Sequence, residues 1–379
     1  MSTLKVDAIR HNSATSDAIT TAADGTCTAK LTSVNGGQLS HRNKVINGGM
    51  TISQRGTTFS TTTSSIYTLD RFQNATGTAF NFDTTTTQDS STPDGFEKSL
   101  KITPDSTQTP TGSHNGTIRH MIEGQDVQDL AFGTSSAKSV TISFYAKSAS
   151  SNNNHQYGVQ LRTRDSVGAA RYVSQAFTVT TSWQRYTMTF AGNTSVAIRN
   201  DNGNGFEICF HLASGPDDIV SAKSTWTTSG AFQTVTGQSN FMDNTSNEFY
   251  LTGVQLEVGD TATSFEHRSF GEELMRCYRY FYGPMGEGLF GVGRTTNAST
   301  MWSVQFPTQM RDGPSLSITS TTITIAEPNQ SNFNITSASI ANAHISKNSA
   351  AFYLNGTMSV SVGDNLFLTD DYLMFSAEY

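Results

Sequence analysis

Apolar and polar residues alternate with a period of two along many short segments of this chain. The clearest segments are residues 140–147, 183–190, 206–212 and 248–258. In the last of them the pattern places Tyr250 on the same face as Val254, Leu256 and Val258. A period of two is typical of strands that lay one face on a core. Because loops rich in Gly, Asn and Ser separate these segments, we predict an all-β protein built on a two-sheet jelly-roll sandwich.

Changes along the chain divide it into four predicted parts. Residues 1–45 are small and polar, and we interpret them as an attachment segment, with a disordered leader as the alternative. Residues 46–268 carry the sandwich, residues 269–284 form one short linking helix, and residues 285–379 form a C-terminal β domain. Asp24-Gly25 predicts a small hairpin within the attachment segment. The strand predicted at the end of the sequence needs a partner strand, for which another subunit is one source.

The linking helix has recognisable start and stop signals. Ser269 is the predicted N-cap, and Glu272 completes a capping box three residues later. Glu272 and Arg276 form a favourable i,i+4 pair, and apolar residues continue at helical spacing to Phe281. Gly283-Pro284 is expected to end the helix. The sequence therefore predicts about three helical turns between the two β domains.

Composition narrows the class of protein. Charged residues make up 15% of the 379 residues, while 23 Phe and 12 Tyr supply large core groups. The net charge of −7 shows no basic stripe, so no nucleic-acid partner is expected. The three cysteines are dispersed, which argues against a disulfide framework. The sequence has no signal-peptide core and no apolar run long enough for membrane insertion, so we expect synthesis in a cytoplasm.

Several ordered motifs resemble one family, the tail-fibre and virion structural proteins of marine and cyanobacterial phages. They are VINGGMTISQRG at 45–56, TLDRF at 68–72, TGVQLEVG at 252–259, SFEHR at 264–268, EELMRCYRYF at 272–281 and the opening MSTLKVDAIR. The resemblance implies a jelly-roll domain similar to carbohydrate-binding modules and a homotrimer in the virion tail. It also implies that residues 1–45 dock on a tail adaptor, nozzle or baseplate protein, and that the fibre contributes to host attachment.

Two alternative functions stay open at this point. One is a virion adaptor or decoration protein without receptor binding, and the other is a surface-polysaccharide hydrolase. A glycosidase needs two carboxylates about 5–10 Å apart. Glu123, Asp126 and Asp129 lie close in sequence, as do Asp217 and Asp218, but we interpret them as structural or exposed. We expect no enzyme, no catalytic residue and no metal site.

A structural calcium is the one cofactor that the sequence suggests at all. Residues 201–205 read Asp-Asn-Gly-Asn-Gly, which combines oxygen ligands with glycines. The later bidentate acid of a calcium loop is missing at the proper spacing. A plain turn between strands is therefore the preferred interpretation, and no cofactor is predicted.

Glycan binding is the function that the polar strand faces favour. Sugars stack on exposed aromatic rings while polar groups fix their orientation. The alternation places Trp183 with Arg185, and separately Tyr145 with Lys147, on polar faces. The remaining candidates, on other polar faces or in a loop, are Arg162, His211 and Trp226. For Trp183 and Trp226 the alternative is a structural role, covering the end of the sandwich or pinning a long loop. For His211 it is a solvated surface histidine.

Overall fold

The structure is a computed structural model, which describes residues 6–9, 19–21, 23, 27–29, 40–77, 80–228, 233–296, 298–327 and 332–379. Within these ranges nearly all regular structure is β, with one α-helix and three short 3₁₀ helices. The prediction of an all-β protein is confirmed. The 3₁₀ helices are Gly124–Leu130, Ser150–Asn152 and Phe241–Asp243.

A small antiparallel sheet lies near the start of the chain. It contains β1 (Ala8–Ile9), β2 (Ile19–Thr21) and β3 (Cys27–Ala29), in that order. Thr21 pairs with Cys27, so the predicted hairpin is confirmed, although its turn at Asp24-Gly25 lies outside the described residues. Farther along, the backbone N–H of Lys44 donates to the carbonyl of Leu256. Contact with the sandwich therefore begins ahead of the boundary predicted at residue 46.

Twelve strands build the sandwich. They are β4 (Thr58–Thr61), β5 (Ile66–Tyr67), β6 (Phe72–Gly77), β7 (Thr84–Asp89), β8 (Ser99–Pro104), β9 (Asn115–Glu123), β10 (Val140–Ser148), β11 (Gln156–Arg164), β12 (Ala170–Thr178), β13 (Gln184–Phe190), β14 (Asn204–Ser214) and β17 (Phe249–Val258). Between β14 and β17, the strands β15 (Ile219–Val220) and β16 (Thr234–Val235) form a separate short pair. The first sheet has the order β13-β10-β17-β8-β7-β4, and the second has the order β12-β11-β14-β9-β6-β5.

The strand order identifies the fold. Eight strands, β8 to β14 and β17, run in the order β8-β17-β10-β13 in the first sheet and β9-β14-β11-β12 in the second. The chain thus crosses between the sheets in the pattern of two Greek keys, which is the topology of a jelly roll. The predicted jelly roll is confirmed. Strands β4 to β7 extend both sheets on one side.

The two inner faces form one continuous core. Phe144 on β10 lies with its ring centroid 5.0 Å from that of Phe210 on β14 and 5.1 Å from that of Phe177 on β12. Val140, Ile142 and Phe144 are all buried, as the alternation predicts. These contacts between opposite sheets are the ones that hold a sandwich together.

The predicted face of Tyr250 is wrong. A β-bulge interrupts the pairing of β17 with β10, since Ser143 pairs with Gln255 while Tyr145 pairs with Thr252. The bulge contains Gly253, whose φ is +62°. One extra residue reverses the alternation. Tyr250 consequently lies on the outer face, and the core receives Phe249 and Leu251 instead.

The linking helix is shorter than predicted. Helix α1 spans Phe270–Tyr278, and the Ser269 hydroxyl accepts a hydrogen bond from the Glu272 N–H, which confirms the N-cap. The Glu272–Arg276 ion pair is also confirmed, at 3.0 Å. Phe281, however, begins strand β18 (Phe281–Met285) and pairs with Ser376. Pairing with a distant strand decides the conformation here, against the helical spacing.

The remaining strands form a closed barrel and a small sheet. They are β19 (Phe290–Thr295), β20 (Ser299–Gln305), β21 (Ser315–Ile318), β22 (Thr322–Ala326), β23 (Phe333–Ile345), β24 (Ser349–Thr357), β25 (Asn365–Leu368) and β26 (Leu373–Ser376). The barrel runs β19-β20-β24-β23-β22-β25, and the sheet has the order β18-β26-β21. Strand β26 is thus central within this chain. The suggestion that its partner comes from another subunit is wrong.

Candidate functional site

The outer face of the first sheet carries a row of four side chains across four neighbouring strands, which we call the Trp183 row. It consists of Trp183, Lys147, Tyr250 and Lys101. The register sets this order, because Lys147 pairs with Tyr250 and Tyr250 pairs with Lys101, while Trp183 immediately precedes β13. Aromatic and cationic residues therefore alternate along the row.

Lys147 is the centre of the row. Its ammonium nitrogen lies 4.3 Å from the ring centroid of Tyr250 and 5.5 Å from that of Trp183. It donates a hydrogen bond of 2.7 Å to the Ser91 hydroxyl. Trp183 meets Tyr250 edge to face, with 6.1 Å between ring centroids. Such cation–π contacts hold the ammonium group in place at the surface.

The other end of the row is an ion pair. Lys101 lies 2.5 Å from Glu248, and the Tyr250 hydroxyl donates to the same carboxylate at 2.9 Å. Partial burial raises the pKa of Glu248, but the hydrogen bonds from Lys101 and Tyr250 outweigh it, so the pKa lies below its usual value. The charge of Lys101 is thus balanced within the protein.

Tyr145 connects this row to a pocket. It lies two residues before Lys147 on the same face, and its ring centroid is 5.4 Å from that of Phe96. Gly253 makes this contact possible, because a Cβ at that position would lie 2.7 Å from the Phe96 ring and 2.9 Å from the Tyr145 ring. The bulge and its glycine therefore shape the outer surface as well as the core.

The pocket beyond Phe96, which we call the Phe96 pocket, has a volume of about 260 Å³. Its aromatic walls are Phe96, Phe265, His267 and Phe270. Phe96 lies 5.0 Å from Phe265 and 5.3 Å from His267, measured between ring centroids. Phe270 is 64% exposed, an unusual degree for a phenylalanine. The remaining lining residues are Gly49, Thr51, Gly95, Glu97, Arg268 and Glu273.

A nearly buried ion pair lies at the base of the pocket. Arg268 contacts the Glu273 carboxylate at 3.2 Å and donates to the carbonyl of Val45 at 3.1 Å. Glu273 also accepts a hydrogen bond from the backbone N–H of Asn47. The Nε of Arg268 has no partner among the described residues. The pocket therefore combines aromatic walls with a fixed polar base.

The structure places two predicted candidates on the opposite sheet. Arg162 and His211 lie on the outer face of the second sheet, and Arg162 contacts Glu207 at 3.5 Å. His211 is fully buried, so the prediction of a solvated histidine is wrong. A later segment covers it, since the Gln238 amide donates to the His211 carbonyl at 2.8 Å. Burial, with nearby Arg119 and Arg162, lowers the pKa of His211 to about 3.

Arg185 and Trp226 both tie down loops. Arg185 donates to the Ser143 hydroxyl at 3.1 Å and to the backbone carbonyl of Thr263, in the segment after β17. Trp226 lies 5.2 Å from Phe132 between ring centroids, and its indole N–H donates to the Ala191 carbonyl at 2.7 Å. These contacts fit the interpretation of a pinned loop for Trp226. Of the predicted candidates, Tyr145 and Arg185 pair with each other near the pocket, and Trp183 lies two residues before Arg185.

Two of the carboxylates considered for catalysis, Glu123 and Asp129, have structural partners. Glu123 is buried and receives hydrogen bonds from Arg279 at 2.6 and 2.7 Å and from the Tyr280 hydroxyl at 2.7 Å. Asp129 pairs with Lys44 at 2.8 Å. Their contacts are those of residues that join parts of the fold.

The loop at residues 201–205, which we considered for calcium and interpreted as a turn, is held by protein groups. Arg199 binds Asp201 with hydrogen bonds of 2.6 and 2.8 Å, and Asp201 also accepts one from the Gly203 N–H. Over the described residues, no cluster of three or more His, Cys, Asp or Glu side chains is arranged to hold a metal ion. The loop therefore serves as a turn that its own residues stabilise.

Reasoning from strand faces missed most of the pocket. Phe96 lies in the loop between β7 and β8, while Phe265, His267 and Phe270 follow β17 or begin α1. Alternation assigns faces only within strands, so these residues had no predicted position. The SFEHR motif at 264–268 was the available signal, because it contains three of the lining residues.

Comparisons with known proteins give partial structural similarities only. No protein-family model matches the sequence, and neither does any curated protein. The enzymatically active domain of tailspike protein 4 from bacteriophage CBA120 is similar over 57% of this chain at 14% identity, with a TM-score of 0.28. This chain covers 21% of that tailspike domain.

Two carbohydrate-binding modules show similarities of the same size. The CBM22-1 xylan-binding domain from Paenibacillus barcinonensis Xyn10C matches 54% of this chain and 95% of its own, at 12% identity and a TM-score of 0.28. The family 11 module from Clostridium thermocellum matches 56% of this chain and 98% of its own, at 12% identity and a TM-score of 0.28. The strand order, rather than these similarities, identifies the jelly roll.

None of the described helices is long and apolar enough to span a membrane.

Proposed function

We propose that this chain is a structural subunit of a phage tail fibre and that its sandwich attaches to a glycan on the host surface. The Phe96 pocket is the observation that carries the binding part of this proposal. Its walls offer aromatic rings for the apolar face of a sugar, and Thr51, Glu97 and the Arg268–Glu273 pair offer polar groups. The motifs that resemble phage tail-fibre proteins support the assignment to a fibre.

The exposure of Phe270 fits this proposal. A phenylalanine that is 64% exposed beside two other phenylalanines leaves apolar area in water, and such surfaces are typical of binding sites. The polar base is fixed before any ligand arrives, because Arg268 and Glu273 hold each other and the backbone at Val45 and Asn47. A preformed site loses little conformational freedom on binding.

Attachment by a fibre would combine weak sites. We propose a homotrimer located in the virion tail, docked by residues 1–45 on an adaptor, nozzle or baseplate protein. Three copies of a weak site raise the effective affinity for a surface that repeats its sugars. We propose no catalytic role, since Glu123 and Asp129 are held by structural partners.

Binding experiments with the intact protein test the glycan proposal. The protein is titrated calorimetrically with neutral oligosaccharides (xylo-, cello- and mixed-linked gluco-oligosaccharides) and with oligosaccharides of galacturonate, mannuronate and hyaluronate. Phe270→Ala should weaken any binding about tenfold, and Phe290→Ala, which removes a 50% exposed ring from the barrel, should leave it unchanged. Absence of binding to every sugar would contradict the attachment role.

Three further measurements test the rest of the proposal. Antibody labelling of purified virions should place the chain on the tail. The mass of the protein in solution should be that of a trimer, and a stable monomer at micromolar concentration would contradict this. Incubation with bound polysaccharide should release no reducing ends. Their release would identify a hydrolase instead.

A further inference from the structure

We infer that the sugar bound at this surface carries an anionic group, such as a uronic-acid carboxylate, which Lys147 recognises. The inference rests on the proposed glycan binding and names the class of glycan. It comes from the Trp183 row, whereas the proposed function comes from the Phe96 pocket. The two are therefore separable by experiment.

Lys147 lies at a partly buried position and forms no ion pair among the described residues. Its ammonium group contacts the neutral Ser91 hydroxyl and the rings of Trp183 and Tyr250. Within the described part of the chain no carboxylate oxygen lies within 4.0 Å of its ammonium nitrogen. An ammonium group has three donors, and the hydrogen bond to Ser91 uses one. A carboxylate that meets the other donors would make a charge-assisted hydrogen bond.

Lys101, in the same row, differs from Lys147 in having an ion-pair partner. It already has a carboxylate partner in Glu248 at 2.5 Å. The row and its one acid thus carry a net positive charge, because Glu248 pairs with Lys101 and acts on Lys147 only at longer range. Tyr250, which is only 7% exposed, lies between the two lysines and keeps them apart. Trp183 is half-buried and lies beside Lys147, immediately before the edge strand β13.

The row and the pocket are close enough for one oligosaccharide. Tyr145 and Lys147 lie on the same face of β10, about 7 Å apart along the strand. Tyr145 contacts Phe96 of the pocket, and Lys147 contacts Ser91 of the same loop. That loop is fixed, since Ser99 donates to the Ser91 carbonyl at 2.7 Å and Thr252 donates to the Lys98 carbonyl at 2.8 Å. A sugar in the pocket can therefore extend past Tyr145 to Lys147.

The overall charge of the chain does not favour an acidic glycan. The chain has a net charge of −7, so its field as a whole repels polyanions. Any preference for an acidic glycan must therefore come from a local cation. Two cations lie in this outer face beside Tyr145. Arg185 donates to the neutral Ser143 and Thr263, and Lys147 donates to Ser91 of the loop that carries Phe96. We assign the recognition to Lys147 because it lies against both aromatic rings of the row.

Matched sugars and matched variants test the inference. The intact protein is titrated with oligogalacturonate, oligomannuronate and hyaluronate oligosaccharides, and with the same sugars after chemical reduction of their carboxyl groups. At least one acidic form should bind about tenfold more tightly than its reduced form. Lys147→Met should remove that difference and leave the affinity for the reduced form unchanged. The control variant Lys138→Met changes an exposed lysine ahead of β10. It should alter neither the preference for the acidic form nor the affinity for the reduced form.

The outcomes separate the inference from the proposed function. Equal binding of acidic and reduced sugars, with loss of both in Phe270→Ala, would overturn the inference and keep the glycan proposal. An acid preference that survives Lys147→Met would also overturn the inference, because another cation would then be responsible. Absence of binding to all sugars, acidic and neutral, would overturn both. Thermal unfolding of Lys147→Met at the wild-type temperature shows that the variant is folded.

Discussion

Arg71 and Glu378 form a buried ion pair, although 307 positions separate them in the sequence. The Arg71 side chain is 1% exposed, and its guanidinium lies 3.4 Å from the ring centroid of Tyr280. Burial lowers the pKa of Arg71, but the Glu378 carboxylate more than compensates and the pKa is raised. This pair joins the jelly roll to the segment that follows β26, and so fixes the position of the C-terminal β domain.

Removal of the charge on Glu378 should destabilise the protein. In Glu378→Gln the buried Arg71 guanidinium keeps its desolvation cost and loses its counter-charge, so the free energy of unfolding should fall by about 3 kcal/mol. Chemical denaturation at neutral pH measures this. Glu287→Gln, at an exposed position, is the control and should change stability little. A Glu378→Gln variant as stable as wild type would show that the pair contributes nothing to stability.

Substitution of two glycines should have opposite effects. In Gly253→Ala the new Cβ would meet Phe96 and Tyr145 at a φ of +62°, so stability should fall by about 1–3 kcal/mol. Glycan affinity should fall as well, because the pocket wall moves. In Gly271→Ala the new Cβ has no heavy atom within 4 Å, and the helix should gain about 0.5–1 kcal/mol. Denaturation curves and glycan titrations of both variants check this. Equal changes in stability and affinity in the two variants would contradict the role of the bulge.

His211 should make the protein sensitive to acid. Its pKa is about 3 in the fold, because burial disfavours the charged ring, and about 6.5 in the unfolded chain. The unfolded state therefore binds the proton more tightly, so stability is complete above about pH 6.5 and is lost as the pH falls towards 3. At about pH 5 the expected loss is about 2 kcal/mol relative to pH 8.

The variant His211→Leu isolates this effect. Wild type and variant should differ in their loss of stability between about pH 8 and pH 5 by about 2 kcal/mol. His120, also buried and with a lowered pKa, contributes to both proteins alike. His344→Asn, at an exposed position of the barrel, should leave the wild-type pH dependence intact. Parallel curves of stability against pH for wild type and His211→Leu would show that His211 does not cause the sensitivity to acid.

Trp226 and Trp183 should separate into a structural and a binding residue. Trp226→Phe loses the hydrogen bond to the Ala191 carbonyl, which should cost about 1 kcal/mol of stability without changing glycan affinity. Trp183→Ala should weaken glycan binding and change stability less than removal of a buried aromatic residue would. Denaturation and titration of each variant test this. A loss of binding in Trp226→Phe at unchanged stability would make Trp226 a ligand residue.

Five of the motifs that resemble phage proteins, those between residues 45 and 281, meet in the structure around α1. Asn47, from the first motif, donates to the carbonyls of Ile52 at 2.8 Å and Asp70 at 2.9 Å. Gln54 donates a hydrogen bond to the Phe281 carbonyl at 3.0 Å. Gly48 touches β17 so closely that a Cβ would lie 2.1 Å from the Val254 carbonyl oxygen. These motifs therefore hold the helix, the sandwich and β18 together, and the SFEHR motif adds the pocket.

The sequence by itself determined the all-β class, the inward faces of β10, β13 and β14, the hairpin and the N-cap at Ser269. These features depend on side-chain periodicity and local hydrogen bonds, and both involve residues that are close together in the sequence. It also placed Trp183 and Tyr145 on an outer face. Tertiary structure alone decided the bulge at Gly253, the strand at Phe281 and the cover over His211.

The Phe96 pocket shows why the sequence alone could not predict these tertiary features. Its walls come from a loop before β8, from the segment after β17 and from the start of α1, so only the folded chain brings them together. Periodicity tells which way a strand residue points, but not which later segment will lie on it. The cover over His211 and the aromatic wall beside Tyr145 both depend on contacts between residues far apart in sequence, and such contacts exist only after the sheets have paired.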